Sequence, residues 1–169
     1  RQALTTAAAD HDLLLTSGGV SVGEEDHIKE AVEASGTLEL WKIAIKPGKP
    51  FAFGQVAGTD FIGLPGNPVS SFVTFVMLVQ PFIRQRMGMA NAAPPRRLLR
   101  AAFDWSTPDV RQEYLRARAQ PDGSVVLHPQ QGSAALAGLA WANGLVEIPP
   151  GQAIRAGDTV SFVPLDGTA

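Results

Sequence analysis

Near residue 95 the apolar pattern of this chain changes period, and that one switch excludes a single uniform sheet or bundle. Ahead of the linker from Ala90 to Pro95, apolar runs of helical length alternate with short apolar runs; from Leu98 onward only short alternating segments remain. The first pattern belongs to an α/β layer and the second to an all-β unit. The chain therefore reads as two domains, residues 1–90 and 96–169. The first is part of a doubly wound α/β sheet, and the second is a small barrel or sandwich of about 70 residues.

Local signals place the elements. Ala3 to Ala9 favours helix, and Asp12 to Thr16 is a short strand that runs into Gly18-Gly19. His27 to Ser35 reads as a helix closed by Gly36 as a left-handed cap, followed by a strand over Leu38 to Ile45. Two prolines and a glycine make Lys46-Pro47-Gly48-Lys49-Pro50 a loop. Strands over Phe51 to Val56 and Asp60 to Leu64 flank the turn Ala57-Gly58-Thr59. Asn67 then caps a helix with Pro68 at its first position, running to about Met87 with a kink at Pro81 and a stop at Gly88. The second part offers strands over Leu98 to Trp105, Glu113 to Ala119, Val125 to His128, Gly144 to Ile148 and Thr159 to Val163. Pro121-Asp122-Gly123 is a hairpin turn, and Gly132 to Gly138 is a loop or single helical turn.

Composition narrows the chemistry. At 169 residues with 45% hydrophobic side chains, the chain has enough apolar surface for packed cores. A net charge of −2 supplies no basic field for nucleic acid or an anionic membrane, so any anion must be held locally. The longest apolar stretch, Val69 to Ile83, is interrupted by Ser70, Ser71, Thr74, Gln80 and Pro81, and it falls short of the roughly 20 residues of a membrane span. Without cysteine the chain has no disulfide, thiolate nucleophile or Cys-ligated metal. No signal peptide is legible, and the start at Arg1 in mid-pattern reads as a truncation. His11, His27 and His128 stand in unrelated contexts, which argues against a hydrolytic triad, and no Walker-type loop occurs.

Three loops carry the residues fitted to an oxyanion. The first, Ser17 to Asp26, has glycines at Gly18 and Gly19 that let backbone N–H groups approach an anion at a helix start. A plain tight turn, with Ser21 and Glu24 as a capping box, fits the same residues. The second loop sets Lys46 and Lys49 on either side of a rigid turn; an oxyanion cradle and two solvated surface lysines are both open readings. The third, Leu64-Pro65-Gly66-Asn67-Pro68, leads into Ser70 and Ser71 in a first helical turn, where ordinary capping also explains Asn67.

Taken together, SGGVSVGEED, KPGKPFAFG and GLPGNPVSS resemble, in order and spacing, the molybdopterin molybdenumtransferase family, which includes MoeA and the gephyrin E domain. The likeness is strong from Asp12 to about Ile83. It is weaker in Arg111 to Arg116, Gln131-Gly132-Ser133 and Ala142 to Leu145. The resemblance implies that residues 1–90 are the C-terminal half of a molybdopterin-binding, MogA-like domain, with further domains upstream. It implies transfer of molybdate into adenylylated molybdopterin with release of AMP and a magnesium ion. By matched position it implies Asp26 as the essential acid and metal ligand, and Lys46 and Lys49 as catalytic cations. Ser17, Gly18, Gly19, Ser21, Pro50, Pro65, Gly66, Asn67 and Ser70 become substrate-binding positions, with Arg111 and Ser133 as a further oxyanion site on the β-domain. A cytoplasmic homodimer that passes its product to molybdoenzymes is the implied setting, with neither nucleic acid nor membrane as partner. A non-catalytic anion-binding scaffold and a tungstate-inserting paralogue stand as alternatives.

Overall fold

The computed structural model describes residues 1–20, 27–132 and 136–165, without the side chains of Leu40 and Trp41. The chain divides into two compact units: Arg1–Ile43 with Gly48–Phe75, and Ala44–Pro47 with Val76–Ala169. The division differs from a simple cut at the Ala90 to Pro95 linker for a topological reason: the short strand Ile45–Lys46 pairs in parallel with Gln112–Glu113, far along the chain.

In the first unit, helix α1 (Gln2–Ala8), strand β1 (Leu13–Ser17), helix α2 (His27–Glu33) and strand β2 (Gly36–Lys42) are followed by β4 (Pro50–Val56) and β5 (Thr59–Leu64), with β3 (Ile45–Lys46) belonging to the second unit. The sheet order is β1-β5-β4-β2. Only β1 and β5 pair in parallel; β5–β4 and β4–β2 are antiparallel. The reversal follows from the Ala57–Gly58 turn, where φ of 48° and 85° makes a tight left-handed corner that returns the chain onto the neighbouring strand. Val32, Val56 and Phe61 are fully buried in the core of this unit. Each contributes about 1.5–3 kcal/mol of burial.

Gly36 is not a left-handed cap. It opens β2 opposite Val56, and a Cβ built there would lie 1.9 Å from the Gln55 carbonyl oxygen. The residue is required by close approach of two backbones, not by positive φ.

The long apolar helix runs as α3 (Pro68–Thr74), a π-helical turn (Phe75–Val79) and α4 (Gln80–Arg86). Pro81 has no N–H for the carbonyl one turn back, and the α ladder is interrupted just ahead of it, so a π turn takes the place of the expected kink.

The second unit is a closed barrel. Strands β6 (Arg97–Ala101), β7 (Gln112–Ala119), β8 (Ser124–Leu127), β9 (Gly144–Ile148) and β10 (Thr159–Pro164) run in the order β7-β8-β6-β10-β9. Pairing of β7 with β9 closes the circle, and β3 lies on β7. The interior holds Leu115, Ala117, Val125, Val146, Ile148, Val160 and Phe162. A barrel, not a sandwich, is thus formed, and closure removes the sheet edges. β6 ends at Ala101, short of Trp105, which instead makes an isolated bridge to Ile154. Helix α5 (Ala137–Trp141) begins only at the end of the Gly132 to Gly138 segment read as a loop or single helical turn and runs past it.

Candidate functional site

In the first unit the carboxyl ends of β1 and β5 lie side by side, with Ser17 opposite Leu64. The Gly18 N–H donates to Leu64 O at 3.0 Å. Gly18 and Gly19 have φ of 88° and 69°, which side chains adopt only under strain. A Cβ on Gly66 would lie 3.4 Å from the Gly18 Cα, so the Ser17-Gly18-Gly19 and Pro65-Gly66-Asn67 turns pass close together. Pro65 is buried, while Ser17, Gly19 and Gly66 are exposed.

The start of α3 is firmly tied. Asn67 Oδ1 accepts the Ser70 N–H at 3.1 Å, Pro68 occupies the first turn, and the Ser71 hydroxyl donates to Pro65 O. Ser70 is buried. The Ser71 hydroxyl and the Ser70 N–H are therefore already engaged in shaping the loop. Asn67→Ala is expected to destabilise the chain by about 1 kcal/mol in chemical denaturation. An unchanged midpoint would mean that Pro68 and Ser71 hold the turn without the cap.

Lys46 ends β3 in the second unit and Lys49 belongs to the first, exposed, its carbonyl accepting Ile43 N–H at 3.1 Å. Pro50 opens β4. Ser21, Asp26 and Ser133 lie outside the described residues. Among the described residues no three His, Asp or Glu side chains converge as a metal site, so a magnesium reading rests on Asp26.

In the barrel unit, Lys46 Nζ faces Asp109 at 3.3 Å and Glu113 at 3.1 Å. Arg111 grips Asp109 through Nε and Nη2, both at 2.8 Å. Glu113 is buried and accepts from Trp105 Nε1 and from the Asp109 N–H, each at 2.9 Å. Burial works against the Lys46 charge, but Glu113 and Asp109 outweigh it and raise the ammonium above its ordinary value. Arg111, aided by Lys46, holds the Asp109 carboxyl far below the usual range.

Arg116 differs from every other arginine in this region. It lies on β7, is 0% exposed, and donates through Nη2 to Gln130 O and Gly132 O, both at 3.0 Å. Gln131 locks the same segment: its Oε1 accepts Arg116 N–H at 2.9 Å and its Nε2 donates to Arg116 O at 2.9 Å. Nε and Nη1 of Arg116 have no hydrogen-bond partner among the described residues. Arg96 and Arg111, both less buried, have Glu147 and Asp109, whereas Arg116 has no carboxylate partner among the described residues. Burial alone pulls its pKa below the ordinary arginine value. A buried guanidinium with two idle donors is costly unless an anion completes it.

Among the described residues, the guanidinium that donates to Gln130 O and Gly132 O is that of Arg116, while Arg111 pairs with Asp109. Arg116 and Glu113 were not singled out by sequence reasoning. The available signal was a charge within a strand of otherwise core-type character, Tyr114-Leu115-Arg116-Ala117.

The structure thus combines an α/β unit, with two glycine turns at the carboxyl ends of paired parallel strands, and a small closed barrel that buries an arginine. Residues 1–85 match the family model described as a probable molybdopterin binding domain, and residues 99–165 match the MoeA C-terminal region (domain IV). The chain belongs to the molybdopterin molybdenumtransferase family. It is 53% identical over 94 residues to a molybdopterin molybdenumtransferase of Haemophilus influenzae, covering 56% of this chain and 23% of that protein. It is 36% identical over 149 residues to molybdopterin molybdenumtransferase 2 of Mycobacterium tuberculosis, covering 84% of this chain and 37% of the relative. A crystal structure of a molybdopterin biosynthesis MoeA protein from Pyrococcus horikoshii superposes with a TM-score of 0.78 at 28% identity, over 96% of this chain and 39% of that one. The chain thus spans well under half the length of these relatives. No helix among the described residues is long and apolar enough to cross a membrane.

Proposed function

We propose that this chain supplies the oxyanion-handling part of a molybdopterin molybdenumtransferase, which inserts molybdate into adenylylated molybdopterin and releases AMP. The observation that carries the reading is Arg116, buried with Nε and Nη1 unused. An oxyanion that accepts from either of these donors would compensate the buried charge, and charge-assisted bonds of this kind are the strong ones. Ser133 follows directly on the Gln131-Gly132 segment that Arg116 holds. The paired turns at Gly18-Gly19 and Pro65-Gly66-Asn67 sit at the carboxyl ends of parallel strands, where open α/β sheets take ligands, and they suit the pterin pyrophosphate.

Asp26 is the acid on which a magnesium ion would depend, since magnesium prefers carboxylate and phosphate oxygens and would neutralise the pyrophosphate when bound. Lys49, exposed, supplies charge to the same polyanion. The reading extends to a cytoplasmic homodimer that delivers finished cofactor to molybdoenzymes.

The test is made in the full-length protein that contains this chain. Asp26→Asn is expected to abolish molybdate-dependent AMP release while the thermal midpoint stays in place, and Lys49→Ala to raise the KM for the adenylylated pterin in a salt-sensitive manner. Unchanged turnover in Asp26→Asn would remove that residue from the reaction and leave it as a helix-start acid.

A further inference from the structure

We propose that Asp109 is an internal counter-anion that sets the threshold charge an incoming anion must carry to engage Lys46 and Arg111. The proposal rests on the oxyanion reading above but concerns a different set of side chains from Arg116.

The four groups Lys46, Arg111, Asp109 and Glu113 are two cations and two carboxylates, so the cluster carries no net charge. Their roles differ. Glu113 is 1% exposed and fixed by Trp105 Nε1 and the Asp109 N–H, so it cannot leave. Asp109 stands on the loop before β7, and its carboxylate alone touches both cations: Lys46 at 3.3 Å, and Arg111 through two bonds of 2.8 Å. Lys46 and Arg111 keep 45% and 30% of their side chains exposed, so an anion can reach them from solvent.

An anion that binds there must displace Asp109. A monoanion such as chloride exchanges one negative charge for another and gains no Coulomb energy. A dianion adds a charge and gains attraction from both cations. Asp109 thereby keeps Lys46 and Arg111 from being occupied by the abundant monoanions of solution and leaves them available to a doubly charged oxyanion. The Arg111 N–H to Asp109 Oδ1 bond of 3.0 Å tethers the displaced side chain close by, ready to return.

Molybdate and perrhenate test this, being tetrahedral oxyanions of like size that differ by one charge. In the 169-residue chain, arginine Nε–H resonances of Arg111 and Arg116 are followed during titration with each. In the parent, molybdate is expected to shift Arg111 and perrhenate to leave it unmoved. In Asp109→Asn, which keeps an acceptor for the Arg111 N–H, both anions should shift Arg111. Molybdate should bind there about fivefold more tightly, the scale of a surface ion pair. Adding Lys46→Ala should reverse the gain. Perrhenate shifting Arg111 equally in parent and variant would overturn the proposal, as would either anion failing to move Arg111 in the variant. The Arg116 resonance reports separately: if it responds to molybdate while Arg111 behaves alike in parent and variant, only the role of Asp109 falls. If Arg111 behaves as expected while Arg116 is silent, the Arg116 reading falls instead.

Discussion

Arg116→Met is expected to weaken molybdate binding by the chain about a hundredfold while leaving it folded. The buried guanidinium offers an unused donor to an anion, and one charge-assisted bond at up to about 3 kcal/mol accounts for a loss of that order. Stability behaves differently. The substitution removes an uncompensated buried cation, which favours folding, and strips Gln130 O and Gly132 O of the Nη2 donor they share, which opposes it. The two terms offset each other to within about 2 kcal/mol. Thermal denaturation with and without molybdate separates them: at about a hundredfold excess over its Kd, an anion bound only to the folded parent adds about 2.7 kcal/mol. The variant should show no such gain. Arg116→Lys should restore charge but not the planar donor pair, and should recover only a minor part of the binding.

Gly36→Ala is expected to produce a large loss of stability for the addition of a single methyl group. The new Cβ would sit 1.9 Å from Gln55 O and 3.1 Å from the Val56 Cα, both backbone atoms of the facing strand. Neither can step aside without separating β2 from β4. A cost of about 3 kcal/mol follows, which for an ordinary denaturant slope moves the urea midpoint by about 1–2 M. Gly58→Ala provides the contrast. Nothing lies within 4 Å of its Cβ, so only the strain of φ at 85° remains, about 1 kcal/mol. Equal losses in the two variants would show that backbone conformation, not strand approach, is what Gly36 serves.

These two residues mark where the sequence is legible and where it is not. Asn67-Pro68 could be read as a helix start because a cap is a local interaction, complete within four residues, and the structure shows its Ser70 bond. The short strands of the barrel and the Pro121-Asp122-Gly123 turn were readable for the same reason. Gly36 looked like a helix cap because it follows α2 directly; its true constraint comes from Gln55, nineteen positions on and visible only once β2 and β4 pair. Lys46 and Lys49 read as flanking one turn; that Ile45 and Lys46 also pair with Gln112 and Glu113 was not legible, because no local pattern announces a two-residue strand. Arg111 and Arg116 are both arginines of one strand region. Their difference lies in Asp109, which occupies the first, and in the Gln130–Gly132 segment that closes over the second. Burial and the absence of a carboxylate partner among the described residues distinguish Arg116 from Arg111.

The central claim is that a molybdenum oxyanion seats against Arg116. It is tested most directly by locating molybdenum through its anomalous scattering in crystals of the chain soaked with molybdate. The account predicts a molybdenum peak with an oxygen in hydrogen-bond reach of Arg116 Nε or Nη1, and its loss in Arg116→Met. Molybdenum bound elsewhere at full occupancy, with Arg116 Nε and Nη1 still unpaired, would contradict it.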